Sequence, residues 1–179
     1  MKKTVFHVIF LLFAVLLVSC SQKSDTFVFL YEESSGYRAF VTYTQITPQT
    51  DIPFKLDMVF TKSDNVEHTV IFPDEFKGMT FTGAEDEMNV SFGDDDIIVS
   101  SENQSILYLI PSFIEAAYIN SGDINAADEA YIYDGIYDNI SFTITFDETM
   151  TYPICIKCAD GDSVSLIEFD NFEYIADKQ

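Results

Sequence analysis

Ile140-Ser141-Phe142-Thr143-Ile144-Thr145-Phe146 alternates apolar and hydroxyl side chains over its whole length. Successive side chains of a strand point to opposite faces, so this pattern puts Ile140, Phe142, Ile144 and Phe146 on one buried face. Phe54, Leu56, Met58 and Phe60 alternate with Lys55, Asp57, Val59 and Thr61 in the same way. Working outward, similar runs occupy 37–45, 66–72, 79–82, 88–92, 97–101, 130–133, 152–158 and 164–169, about ten strands in all. Ser63-Asp64-Asn65, Gly83-Ala84-Glu85-Asp86, Gly93-Asp94-Asp95-Asp96 and Asp160-Gly161 supply turn chemistry between them. Links this short join antiparallel neighbours.

One segment breaks the strand pattern. Residues 106–119 are apolar almost throughout, contain Pro111, and are closed by Asn120-Ser121-Gly122, which predicts a helix. Proline either starts a helix or kinks it. The apolar residues do not keep to one stripe, so this helix is expected to be mostly buried against the sheet. Residues 27–33 are too short to separate a brief helix from an edge strand, and 123–128 reads as a loop or one helical turn. No internal repeat or low-complexity tract occurs.

The first twenty residues carry a different signal. Met1-Lys2-Lys3 precedes an uncharged run at 8–18, and the run closes on Leu17-Val18-Ser19-Cys20. A permanent span needs about 20 apolar residues, so the run has the length of a secretory signal. Basic start, apolar core and a small residue before cysteine together resemble the lipobox of bacterial lipoprotein precursors. The resemblance implies a diacylglycerol thioether on Cys20, cleavage between Ser19 and Cys20, and anchoring to a membrane on its extracytoplasmic side. Two acyl chains hold a protein stably where one chain binds only reversibly. Ser21, in place of the aspartate that commonly retains such proteins at the inner membrane, leaves inner and outer membrane both open. The expected organisation is a cleaved signal at 1–19, a lipidated tether at 20–26 and one β-rich domain at 27–179.

Charge narrows the partners. The formal charge of the full chain is −21, and loss of Lys2 and Lys3 with the signal would take it to −23. A surface of this sign repels phosphate backbones and anionic head groups, which argues against nucleic acid and against electrostatic adsorption to membranes. With 47% hydrophobic and 15% aromatic residues, the composition is that of a folded domain, not a solvated tail.

Few residues carry recognisable chemistry. With Cys20 assigned to lipid, Cys155 and Cys158 remain in a strand-like run, where residues three apart face opposite ways about 10 Å apart. A disulfide needs less than about 7 Å, so two free structural thiols are expected, with a bridge in a bent strand or a metal site as the alternatives. Ala159 excludes a C-x-x-C-H haem site, and His68 is the only histidine after the signal, which makes a poor zinc set. His68 has the parity of Val66 and Val70 and reads as a satisfied, half-buried side chain, not a catalytic base. No nucleophile elbow, P-loop, H-E-x-x-H or dinucleotide fingerprint is present. The Asp94-Asp95-Asp96 run lacks the alternate spacing of a calcium loop and reads as a solvated hairpin tip. No catalytic residue, metal ligand or cofactor is expected.

The order of strands, the fragment Phe72-Pro73-Asp74-Glu75-Phe76-Lys77-Gly78-Met79-Thr80-Phe81, the mid-chain apolar helix and the closing Ile167-Glu168-Phe169-Asp170-Asn171-Phe172 resemble the LolA/LolB/LppX superfamily of lipoprotein carriers and envelope lipoproteins. The resemblance implies a mainly β fold with one or two helices: a strongly curved antiparallel sheet, an unclosed half-barrel, with an apolar helix on its concave face. It makes Phe81, Phe92, Leu109, Phe113, Ile114 and Tyr118 candidates to line a cavity for a lipid or other apolar molecule. The expected function is therefore a non-enzymatic, membrane-anchored protein of the bacterial cell envelope. The alternatives are a surface interaction module without a ligand, recruiting another envelope protein through a sheet edge, and a carboxylate-based envelope hydrolase.

Overall fold

The computed structural model describes residues 25–46, 51–62, 66–84, 87–100, 105–161 and 163–176. Cys20, the signal at 1–19 and the turn at 63–65 lie outside the described residues. Helix α1 (Asp25–Glu33) runs directly into strand β1 (Ser34–Ile46). Strands β2 (Asp51–Thr61), β3 (Val66–Phe72), β4 (Thr80–Ala84), β5 (Glu87–Phe92) and β6 (Asp95–Ser100) follow. Helix α2 (Ile106–Ile119) then crosses to β7 (Asn125–Ala127), β8 (Ala130–Tyr137), β9 (Ile140–Phe146), β10 (Pro153–Asp160) and β11 (Ser163–Ala176).

All eleven strands form one antiparallel sheet in the order β6-β5-β4-β3-β2-β1-β11-β10-β9-β8-β7. β11 pairs with β1 at the middle, and among the described residues β6 and β7 end the sheet without meeting. This is the mainly β arrangement that the alternation predicts, unclosed as the resemblance implies. Gly36 permits the central approach of β1 to β2, since a Cβ there would stand 1.9 Å from the Phe60 carbonyl oxygen.

Residues 27–33 are helical, one of the two alternatives the sequence leaves open, within α1 beginning at Asp25. Two other segments differ from the sequence reading. Residues 125–127 pair with β8, where a loop or helical turn was expected. β11 runs on to Ala176 instead of stopping at 169, carried through by a bulge at Asp170-Asn171. Between Arg38↔Glu173 and Phe40↔Asp170 the β11 side advances one residue more than β1, with Asn171 at φ 52°. Asparagine tolerates that left-handed conformation, and the extra residue lets Phe169 and Phe172 both be buried.

The core lies on one face of the sheet, here called the inner face. Ile144, Ile156 and Ile167 are fully buried there and paired across β9, β10 and β11. α2 lies on β8 and β9 and buries Leu109, Ile110, Phe113, Ile114 and Ala117, while α1 adds Phe27 and Tyr31. Each such large side chain contributes about 1.5–3 kcal/mol by leaving water. Phe113 stacks on Phe142 at 4.4 Å between ring centroids, and Phe27 packs on Phe146 at 4.8 Å.

Candidate functional site

The inner face continues beyond the helices. Met58, His68, Phe81, Val90 and Ile97 are direct cross-strand partners on β2 to β6. At about 4.8 Å per strand, the distance from His68 to Ile97 is about 14 Å. Met58 and His68 are fully buried, Phe81 and Val90 half-buried, and Ile97 is 61% exposed. Phe92 shares the parity of Val90 and is 44% exposed. The result is an apolar trough, shut at its His68 end by the first turn of α2 and open toward the free edge strand β6.

The shut end is built by a proline. Pro111 has no N–H to donate to the carbonyl of Leu107 four residues back. His68 of β3 takes that place, with Nε2 3.2 Å from the Leu107 oxygen. A carbonyl only accepts, so Nε2 carries the proton and, in the neutral ring, Nδ1 is a bare acceptor. Nδ1 is buried without a partner, and so is the hydroxyl of Tyr108. The Tyr108 ring stands edge-on to His68 with centroids 5.7 Å apart. Burial pushes the His68 pKa down to about 4, outweighing the opposing bond to Leu107. The imidazole is therefore neutral at pH 7. Burial likewise raises the Tyr108 phenol well above its ordinary value, keeping it protonated. His68 is thus fully buried where the sequence predicts a half-buried side chain, and only one of its two nitrogens is satisfied.

The six residues proposed from sequence fall into three groups. Phe81 and Phe92 lie along the trough. Leu109, Phe113 and Ile114 are buried in the core between α2 and the sheet. Tyr118 is at the contact between helices, stacked on Tyr31 at 4.7 Å and donating to Glu32 at 2.7 Å. Lys62 supports the same corner, its ammonium over the Tyr31 ring and bonded to the Tyr31 carbonyl. Sequence reasoning missed Val90, Ile97 and Tyr108 as members of the site. The signals were present: 88–92 and 97–101 have matched parity, and Pro111 lies four residues after Leu107.

A separate open depression of about 690 Å³ is lined by Asn120 and Asp123 after α2 and by parts of β8, β9 and β10. None of the six predicted residues lines it. Two pairs of its polar side chains are bonded, Thr143 donating to Asp134 at 2.6 Å and Asn120 to the Tyr133 hydroxyl at 3.2 Å. Cys155 and Cys158 are free thiols, Cys158 buried and Cys155 half-buried, as their opposite parity predicts. Burial raises both thiol pKa values, that of Cys158 to about 12, which makes neither a ready nucleophile. Asp147 holds the β9–β10 turn by accepting from Thr149 and from the backbone N–H groups of Thr151 and Tyr152. Among the described residues no three His, Cys, Asp or Glu side chains gather as a metal site would require. No described helix is long and apolar enough to cross a membrane.

No protein-family model and no curated protein matches this chain. Solved structures similar to it include a LolA superfamily protein from Nitrosomonas europaea, at 11% identity and a TM-score of 0.48, covering 86% of this chain and 95% of that one. LprF from Mycobacterium bovis is similar at 12% identity and a TM-score of 0.45, covering 84% and 91%. The Mycobacterium tuberculosis lipoprotein LppX is similar at 10% identity and a TM-score of 0.43, covering 85% and 94%.

Proposed function

We propose that this protein is a non-enzymatic lipoprotein of the bacterial cell envelope that holds a lipid or other apolar molecule on the inner face of its sheet. The observation that carries the reading is the apolar row Phe81, Val90 and Ile97, which prolongs the core outward beyond the strands that the described helices cover. Phe81 and Phe92 line the trough, and Leu109, Phe113, Ile114 and Tyr118 belong to the helix that closes it from behind. Burying such a row under an acyl chain gains about 25 cal/mol per Å² of apolar surface.

Anchoring rests on the sequence at Cys20. The first helix starts at Asp25, so a lipid on Cys20 would keep the folded body within about 20 Å of the bilayer at 3.3–3.6 Å per residue. A ligand could then pass between membrane and trough without crossing much water.

Mass spectrometry of molecules extracted from the protein purified out of its native membrane tests the binding. An apolar molecule should co-purify and be lost in a Val90→Asp variant; its absence from both would reject the reading. Cys20→Ser should abolish precursor maturation and partition into detergent, and unchanged behaviour would reject the anchor.

One observation favours a second reading. β6 is a free edge with Ile97 exposed on one face and Ile98, 72% exposed, on the other. Such an edge can accept a partner strand by β-augmentation. Cross-linking from β6 in native cells that captured no envelope protein would argue against it.

A further inference from the structure

At the shut end of the trough His68 and Tyr108, whose rings meet edge-on with centroids 5.7 Å apart, each have an atom that is buried and without a partner among the described residues. A buried donor or acceptor left unpaired costs about 1–3 kcal/mol, so these two groups require an explanation. Their chemistry is complementary. Nδ1 of His68 can only accept, because Nε2 holds the ring proton against the Leu107 carbonyl. The Tyr108 phenol can donate. A single hydroxyl, which is donor and acceptor at once, satisfies both.

Resting on the proposed apolar-ligand function, we infer that the trough selects long-chain molecules ending in an uncharged hydroxyl, such as a fatty alcohol or an acylglycerol, over those ending in a carboxylate. The hydroxyl lies between His68 Nδ1 and Tyr108, and the chain runs outward over Phe81, Val90 and Ile97. A carboxylate has no proton to give to Nδ1. It would also bring a charge into a site where no cation touches His68 or Tyr108 in the described contacts, on a chain of net charge −21. Burying an unpaired carboxylate is strongly unfavourable.

Labelling of the full chain in detergent micelles by diazirine derivatives of palmityl alcohol, monopalmitoylglycerol and palmitic acid tests the inference. Both hydroxyl probes should label more strongly than the acid at pH 7, by about tenfold for one well-made hydrogen bond to a buried group. A stronger alcohol than glycerol signal would assign a simple alcohol, and the converse an acylglycerol. Tyr108→Phe, which removes one oxygen, should lower labelling by both hydroxyl probes toward that of the acid. His68→Gln, which can keep a donor near Leu107 but moves the acceptor away from the Nδ1 position onto an amide oxygen, should lower hydroxyl-probe labelling likewise. Equal labelling by hydroxyl and acid probes, or a preference unchanged in both variants, would overturn the inference and leave the apolar-ligand function standing. Failure of all three probes to label would overturn both.

Discussion

The two halves of the inner face are built from the same kinds of residue and end in opposite states. Ile144, Ile156 and Ile167 are fully buried beneath α1 and α2, whereas Ile97, on the same face, is 61% exposed. The difference lies in the helices and not in the strands. α2 is long enough to cover β8 and β9, and its first turn reaches β3 at His68, through the Leu107 carbonyl that Pro111 leaves unpaired and the edge-on Tyr108 ring. Stability is therefore concentrated in the covered half, and the bare half keeps apolar surface available for a ligand.

Substitutions should separate the halves. Phe113→Ala removes a fully buried ring stacked on Phe142 and should cost about 3–5 kcal/mol in chemical denaturation. A loss below 1 kcal/mol would mean that the covered half is not the stabilising one.

The boundary between the halves should respond to pH. The folded pKa of His68, about 4, lies below its ordinary 6.5, so between those values the unfolded chain binds more protons. Stability from this group is complete above about pH 6.5 and is lost as pH falls toward 4. The shift corresponds to about 3 kcal/mol at 1.36 kcal/mol per pH unit. Denaturation midpoints across this window should show that slope in the native chain and a flatter one in His68→Gln; identical slopes would place His68 outside the buried boundary.

Smaller effects are expected where solvent already reaches. Arg38 and Asp57 form a two-pronged ion pair on the outer face, with the Arg38 side chain 54% exposed. Arg38→Ala should cost less than about 1 kcal/mol, measured by thermal melting, and less still at high salt. Ile97→Ser in the bare half should change stability by no more than about 0.5 kcal/mol yet weaken uptake of an apolar dye. A large stability loss at Ile97 would show that the trough is part of the core.

Much of this arrangement was legible in the sequence. Strict alternation at 140–146 and 54–61 marked half-buried strands, and an apolar run of helical length with a clear stop marked α2. α1 was ambiguous because Phe27, Val28, Phe29, Leu30 and Tyr31 are consecutive and fit neither period. β7 escaped because three residues without a β-branched side chain carry no pattern of their own; pairing with β8 creates the strand. The run at 164–169 was ended too early because the bulge at Asp170-Asn171 shifts the alternation and puts Phe169 and Phe172, three residues apart, on one face. For the site, Phe81 and Phe92 entered as candidates through the resemblance, because alternation within a strand does not say which face α2 leaves bare; that depends on the helix's position. The His68–Leu107 bond joins residues 39 apart in the chain, and no local signal reports it.

Mapping the adducts of a photoactivatable alkane on the full chain in micelles tests the central claim most directly. The account predicts modification concentrated on Phe81, Val90, Phe92 and Ile97, with Phe113 and Phe142 unlabelled. Adducts concentrated instead on Ile98 and Ile136, or spread evenly over all exposed apolar residues, would contradict it.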